Sequence, residues 1–141
     1  MKQVLLLAAI GLVLVSLLMA AGCSKYADPD LKITTNLTKV SEDPAAGTVT
    51  YDLEMYVTNI GGNNAYSVLV LAILSTPKDK PEYQFTTANI DVGTVEKGKI
   101  EHFNRQMVLP LNPANYAQVS SGALIPDVST TITRVSSNVM S

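Results

Sequence analysis

The chain has 141 residues, of which 47% are hydrophobic, with a single Cys and a formal net charge of −2. This length suits one domain behind a leader rather than two domains. Because basic residues are not in excess, the composition argues against binding to a nucleic-acid backbone. A lone cysteine excludes an internal disulfide and a metal site built from several cysteines.

The first 22 residues are predicted to be a signal peptide. Lys2 lies just before an uncharged, mostly aliphatic stretch over residues 4–21. At about 1.5 Å per residue this stretch would form a helix of about 27 Å, close to the thickness of a bilayer core. A charged start, an apolar stretch and small residues before a cleavage site are typical of a secretory signal.

The apolar stretch ends in Met19-Ala20-Ala21-Gly22-Cys23, which resembles the lipobox of prokaryotic lipoproteins. Ala21 and Gly22 match its small positions and Cys23 its invariant cysteine, whereas Ala20 stands where leucine is commonest. The resemblance implies cleavage between Gly22 and Cys23, with a diacylglycerol on the Cys23 sulfur. Acyl chains would then anchor the protein in the membrane, on the extracytoplasmic side.

Two alternatives stay open for this leader. It could be kept as a membrane helix, or it could be cleaved with Cys23 left as an unmodified thiol. Residues 23–30 follow as a short polar tether that contains Pro29. Fully extended, seven residues reach at most about 25 Å, so the domain over residues 31–141 would stay close to the membrane.

Hydrophobic residues in this domain alternate with a period of two, which predicts strands. Leu31, Ile33 and Leu37 share one face of a first strand, and residues 49–57 give the clearest alternation. Residues 66–74 are apolar on both faces, which favours a central strand covered on both sides, with a buried helix as the alternative.

Three further strands are predicted at residues 83–90, 99–109 and 128–139. Residues 96–99 are predicted to form a hairpin turn with Gly98 at positive φ, and a slip in the alternation after Ile100 predicts a β-bulge. Turns are predicted at residues 43–47, 60–64 and 77–81, and a helical turn at 115–119. The expected fold is all-β: an antiparallel, immunoglobulin-like β-sandwich of six to seven strands.

Three segments carry a family resemblance, namely Tyr56–Gly61, Ala65–Val70 and Val92–Phe103. They contain a strand ending in Val-x-Asn-x-Gly, an Ala-x-x-Val strand start, and a glycine turn before a strand with Phe. This layout resembles the small immunoglobulin-like modules of prokaryotic exported proteins, of the FxLYD and CARDB types. The Phe-x-Leu-Tyr-Asp string itself is absent, since residues 71–74 read Leu-Ala-Ile-Leu. The resemblance implies an immunoglobulin-like fold.

Residues suited to catalysis or metal binding are few. His102 is the only histidine, and its neighbours show no metal-ligand spacing, so no metal site and no cofactor are predicted. Asp52 and Glu54 are expected to be solvated side chains on one strand face. A hydrolase or ligand carrier, a third and weaker hypothesis, would need His102 gathered with Asp52 or Glu54 in a concave site.

The remaining candidate for function is a surface. Residues 110–127 form an irregular segment with the apolar residues Leu111, Tyr116 and Leu124. This segment would either pack over an open end of the sandwich or form a partner-binding loop. The sequence therefore predicts a non-catalytic, lipid-anchored binding or structural module at the cell envelope. The alternative is an accessory subunit of a membrane protein complex.

Overall fold

The computed structural model describes residues 28–80 and 82–137. In chain order its elements are β1 (Leu31–Asp43), β2 (Thr48–Asn59), β3 (Ala65–Ser75), β4 (Phe85–Val95), β5 (Ile100–Pro110), α1 (Pro113–Ser120) and β6 (Asp127–Ser136). The all-β prediction is confirmed, and the predicted helical turn lies within α1.

The six strands form two antiparallel three-stranded sheets, which we call sheet A and sheet B. Sheet A has the order β1-β2-β5 and sheet B the order β4-β3-β6. The first two strands are neighbours, the fifth returns beside the second, and the sixth lies beside the third. Strands β1, β2 and β5 thus correspond to strands A, B and E of an immunoglobulin-like sandwich. Strands β4, β3 and β6 correspond to its strands C′, C and F.

The core lies between the two sheets and is lined by alternate residues of their central strands. On β2 every second residue from Val49 to Val57 is buried, as the alternation predicts. Opposite them, alternate residues from Val68 to Leu74 on β3 are buried. Complete burial of a side chain such as Leu53 contributes about 1.5–3 kcal/mol, so these two strands dominate the stability of the domain.

The predicted hairpin at residues 96–99 is wrong. Gly98 does have a positive φ of 73°, but β4 pairs with β3 while β5 pairs with β2. The turn therefore crosses from sheet B to sheet A. A glycine turn shows where the chain reverses, and it does not determine which strands pair.

The predicted bulge in β5 is also wrong, because β5 pairs with β2 without interruption from Ile100 to Pro110. The alternation slips because Ile100 lies on the outer face of the sheet and is 61% exposed, whereas Phe103 is an inward residue that packs against the core. Register shifts occur instead in β1, between Lys39 and Ser41, and in β3, between Ala65 and Leu69. Ser67 in the latter has a positive φ of 53°, which fits a local irregularity.

Strand β3 is central as predicted, but it is not covered on both sides. Its outward residues Leu69, Leu71 and Ile73 are half-buried. They pair with Asp91, Asn89 and Thr87 of β4, respectively, in the antiparallel register. No described element packs over these aliphatic groups.

Candidate functional site

The predicted lipid-attachment residue Cys23 and its neighbour Gly22 lie outside the described residues. The structure places the chain from Asp28 onward, three residues before β1. In the part of the chain that it describes, no helix is long and apolar enough to span a bilayer. The informative geometry is therefore where the segment that follows Cys23 meets the sandwich.

That meeting point lies at one end of the sandwich, which we call the Asn59 pole and define as residues 28–32, 58–64 and 95–100. The Asn59 side chain is fully buried there. Its Nδ2 donates to the carbonyl oxygens of Asn63 at 2.8 Å and Val95 at 2.9 Å, and its Oδ1 accepts from the Gly61 amide at 3.0 Å. Its backbone N–H donates to Lys99 O at 3.0 Å. One amide side chain thus joins the end of β2 to the end of β4.

Gly61 fixes where the tether reaches this pole. A Cβ atom at this position would overlap the Asp30 amide nitrogen and lie 2.6 Å from the Asp28 carbonyl oxygen. The Ile60 amide also donates to the Asp30 carbonyl oxygen at 2.8 Å. Only a residue without a side chain permits this backbone approach. The last part of the predicted tether is therefore packed on the sandwich.

The opposite end of the sandwich, which we call the α1 pole, contains the predicted partner-binding loop. We define it as residues 42–48, 75–80, 82–85 and 110–127. Leu111 and Leu124 are buried and join the hydrophobic core, whereas Tyr116 is half-buried. The large apolar side chains of the loop that solvent reaches are Tyr116 and Ile125, and Ile125 is 76% exposed.

A second buried asparagine, Asn115, holds α1 at this pole. Asn112 caps the helix by accepting from the Asn115 amide at 2.7 Å. The Asn115 Nδ2 donates to Glu82 O at 2.9 Å and to the Gln84 side-chain oxygen at 3.0 Å. These bonds attach the helix to the chain between β3 and β4. Sequence reasoning missed this role, because an Asn-Pro start predicts a helix cap but not a distant acceptor.

Polar side chains also join α1 to the end of β1, through Glu42. Its carboxylate accepts from Lys39 at 2.6 Å and from the Ser120 hydroxyl at 2.7 Å. The Lys39 hydrogen bond, followed by that of Ser120, lowers the pKa of Glu42. Desolvation, followed by the Glu42 charge, raises the pKa values of Tyr51 and Tyr116. The contact is exposed, so it adds little stability.

Two open grooves border α1. One has a volume of about 440 Å³ and lies between the β1–β2 turn and the helix, lined by Pro44, Ala45, Ala46, Gly47, Leu111, Pro113 and Tyr116. The other has a volume of about 260 Å³ and is lined by Leu37, Lys39, Tyr51, Val119, Gly122, Leu124, Ile125 and Pro126. Both offer mainly apolar walls and no cluster of titratable groups, a lining that suits contact with a protein rather than chemistry.

The residues considered for acid–base chemistry lie on the outer face of sheet A. His102 stacks on Tyr56, with ring centroids 4.5 Å apart. The register places Glu54 diagonally next to His102. Asp52 lies four residues along β2 from Tyr56, the cross-strand partner of His102, and is therefore about 13 Å from His102. Glu54 accepts from Asn36 Nδ2 at 3.3 Å. The described residues contain no group of three or more His, Cys, Asp or Glu suited to a metal ion.

Comparisons with known proteins give no family for this chain. No family model matches it, and neither does any curated protein. Solved structures that resemble the fold include the following three. A Bordetella pertussis protein assigned as ApaA is 18% identical, with a TM-score of 0.45, and the match covers 59% of this chain and 70% of that one. The structural genomics target SoR45 is 12% identical, with a TM-score of 0.44, and the match covers 56% and 61%.

The third is the trimeric lipoprotein SadB of Salmonella enterica. It is 12% identical to this chain, with a TM-score of 0.37, and the match covers 97% of this chain and 78% of that one.

Proposed function

We propose that this protein is an exported lipoprotein whose β-sandwich is a non-catalytic binding or structural module at the cell envelope. Its first support is the leader, with an apolar stretch that ends at Ala21-Gly22-Cys23. In this proposal Cys23 is the acylated N-terminus of the mature protein. Two or more acyl chains give stable anchoring, because each buried CH₂ contributes about 0.8 kcal/mol.

The observation that carries the proposal is the packing of residues 28–30 on Gly61 and Ile60. A loose tether would let the domain take any orientation. Here the segment that leads from Cys23 is attached at one pole, and the grooves beside α1 lie at the other. The proposed anchor is thus separated by the length of the sandwich from the groove beside the β1–β2 turn, and the second groove extends from α1 to the middle of β1.

The anchor is tested by Cys23→Ala in the full chain expressed in a bacterial host with labelled fatty acid. We expect the label to disappear from the protein and the protein to keep its leader, whereas Ser24→Ala, at the neighbouring residue, keeps both label and cleavage. Label that persists in Cys23→Ala would contradict the proposal.

A second candidate function, an accessory subunit of a membrane complex, is favoured by Ile125 and Tyr116 at the grooves of the α1 pole. A photo-crosslinking residue at position 125 tests it in intact cells. We expect one defined adduct with a membrane protein, and a probe at Ser129 on the outer face of β6 serves as the control. Equal, diffuse adducts from both positions would remove this candidate.

A further inference from the structure

The Asn59 pole carries two isoleucine side chains that the sandwich leaves uncovered. Ile60 is 62% exposed and Ile100 is 61% exposed. Ile60 directly follows Asn59, and Ile100 directly follows Lys99, whose carbonyl oxygen accepts from the Asn59 amide at 3.0 Å. Single exposed hydrophobic residues are common on protein surfaces. Here two exposed isoleucines lie on either side of the same buried asparagine, at the pole where the tether is attached.

The length of chain between this pole and Cys23 limits how far the pole can be from the lipid. Asp28 is packed against Gly61. The five residues from Cys23 to Asp28 extend at most about 18 Å. Since the acyl chains enter the bilayer at Cys23, the Asn59 pole is held within this distance of the headgroups, while the α1 pole is not.

The charged residues of the pole neither attract nor repel an anionic surface strongly. Three exposed lysines, Lys32, Lys97 and Lys99, are balanced by three exposed acids, Asp28, Asp30 and Glu96. Repulsion of net charge therefore does not oppose contact with lipid. Contact would depend on the isoleucines, and the flexible lysine stems can lie along the apolar surface with their charges in the headgroup region.

We propose that the Asn59 pole lies against the lipid surface, with Ile60 and Ile100 in the headgroup region and the α1 pole directed away from the membrane. This inference rests on the proposed function, because it needs the anchor at Cys23. Its occupant is the bilayer to which the acyl chains belong. Contact at this pole would set the orientation of the whole sandwich and present the grooves beside α1 to a partner.

The test uses the acylated protein, reconstituted in phosphatidylcholine vesicles with and without phosphatidylglycerol. A fluorophore is attached to Lys97→Cys at the Asn59 pole or to Lys78→Cys at the α1 pole, and spin-labelled lipid is the quencher. We expect strong quenching at position 97 and none at position 78, with little effect of phosphatidylglycerol. Equal quenching at both positions, or none at position 97, would overturn the inference.

The isoleucines are tested by the double variant Ile60→Ser, Ile100→Thr. We expect quenching at position 97 to fall markedly, while Val108→Thr, a comparable change to a 49% exposed residue on the same strand, leaves it unchanged. Circular dichroism verifies that both variants fold. Intact mass shows whether Cys23 carries lipid, so an absent acyl chain, which would refute the proposed function, is distinguishable from an acylated protein with the wrong orientation.

Discussion

Each pole of the sandwich contains a buried asparagine that joins separate segments of the chain, but the two asparagines bond to different kinds of partner. Asn59 is fully buried and bonds only to main-chain atoms of the turn after β2 and of β4. Asn115 is 6% exposed, and one of its acceptors is the side chain of Gln84. At the Asn59 pole the asparagine side chain thus bonds to main-chain groups alone, whereas at the α1 pole it also bonds to a side chain, and grooves border the helix. In the proposed function, the first arrangement would suit the end next to the proposed anchor, and the second would suit the end proposed to meet a partner.

The largest expected effect comes from removal of Asn59. Asn59→Ala leaves buried main-chain groups of residues 61, 63 and 95 without their partner, so we expect a loss of about 3 kcal/mol in the free energy of unfolding. Asn115→Ala is the matched change, and its acceptors lie closer to solvent, so about 1 kcal/mol is expected. Chemical denaturation measures both. Equal losses would show that the two poles are not organised differently.

A smaller effect is expected from Gly61→Ala, which tests the attachment of the tether. The new Cβ would collide with the backbone of Asp28 and Asp30, so we expect about 2 kcal/mol of destabilisation and faster exchange of the Ile60 amide proton. Gly98→Ala is the control, because its Cβ would meet nothing within 4 Å. Only its positive φ opposes the change, at a cost of about 1 kcal/mol. If the Ile60 amide proton of Gly61→Ala exchanges as slowly as in the parent protein, the tether is not packed at this position.

The smallest effect is expected at the exposed contact between α1 and β1, and it depends on pH. The pKa of Glu42 in the folded protein lies below its ordinary value of 4.5. The contribution of this carboxylate to stability is therefore present above pH 4.5 and is lost as the pH falls through the lowered pKa. We expect Glu42→Gln to be slightly less stable than the parent protein near neutral pH and to lose this difference in acid. Denaturation midpoints at several pH values measure it, and a difference that grows in acid would refute this role.

Much of the fold follows from local pattern, and the exceptions have physical reasons. The alternation from Val49 to Val57 predicts β2 and its buried face, because one face of that strand is core and the other is solvent. Which strands pair does not follow from local pattern, because the turn at Gly98 is compatible with either a hairpin or a crossover between sheets. The slip after Ile100 suggests a bulge only if Ile100 must face the core, and in the structure this apolar residue is exposed on the outer face instead.

The candidate site was less predictable than the fold. The Asn59 pattern, with Gly61 two residues later, predicts a local turn, in which the side chain accepts from the second amide beyond it. Nothing local reveals that the same side chain also reaches Val95, 36 residues away. Tyr116 and its neighbours show the same limit. Their apolar character indicates a buried or a binding role, but only the packing shows that Leu111 and Leu124 lie in the core and Tyr116 beside a groove.

The central claim, that the protein is anchored through Cys23 next to the Asn59 pole, is tested most directly by the intact mass of the protein extracted from membranes. We predict the mass of residues 23–141 plus a diacylglycerol, with or without a further acyl chain. A mass that includes residues 1–22 without lipid, or a cleaved chain with a free thiol, would contradict it.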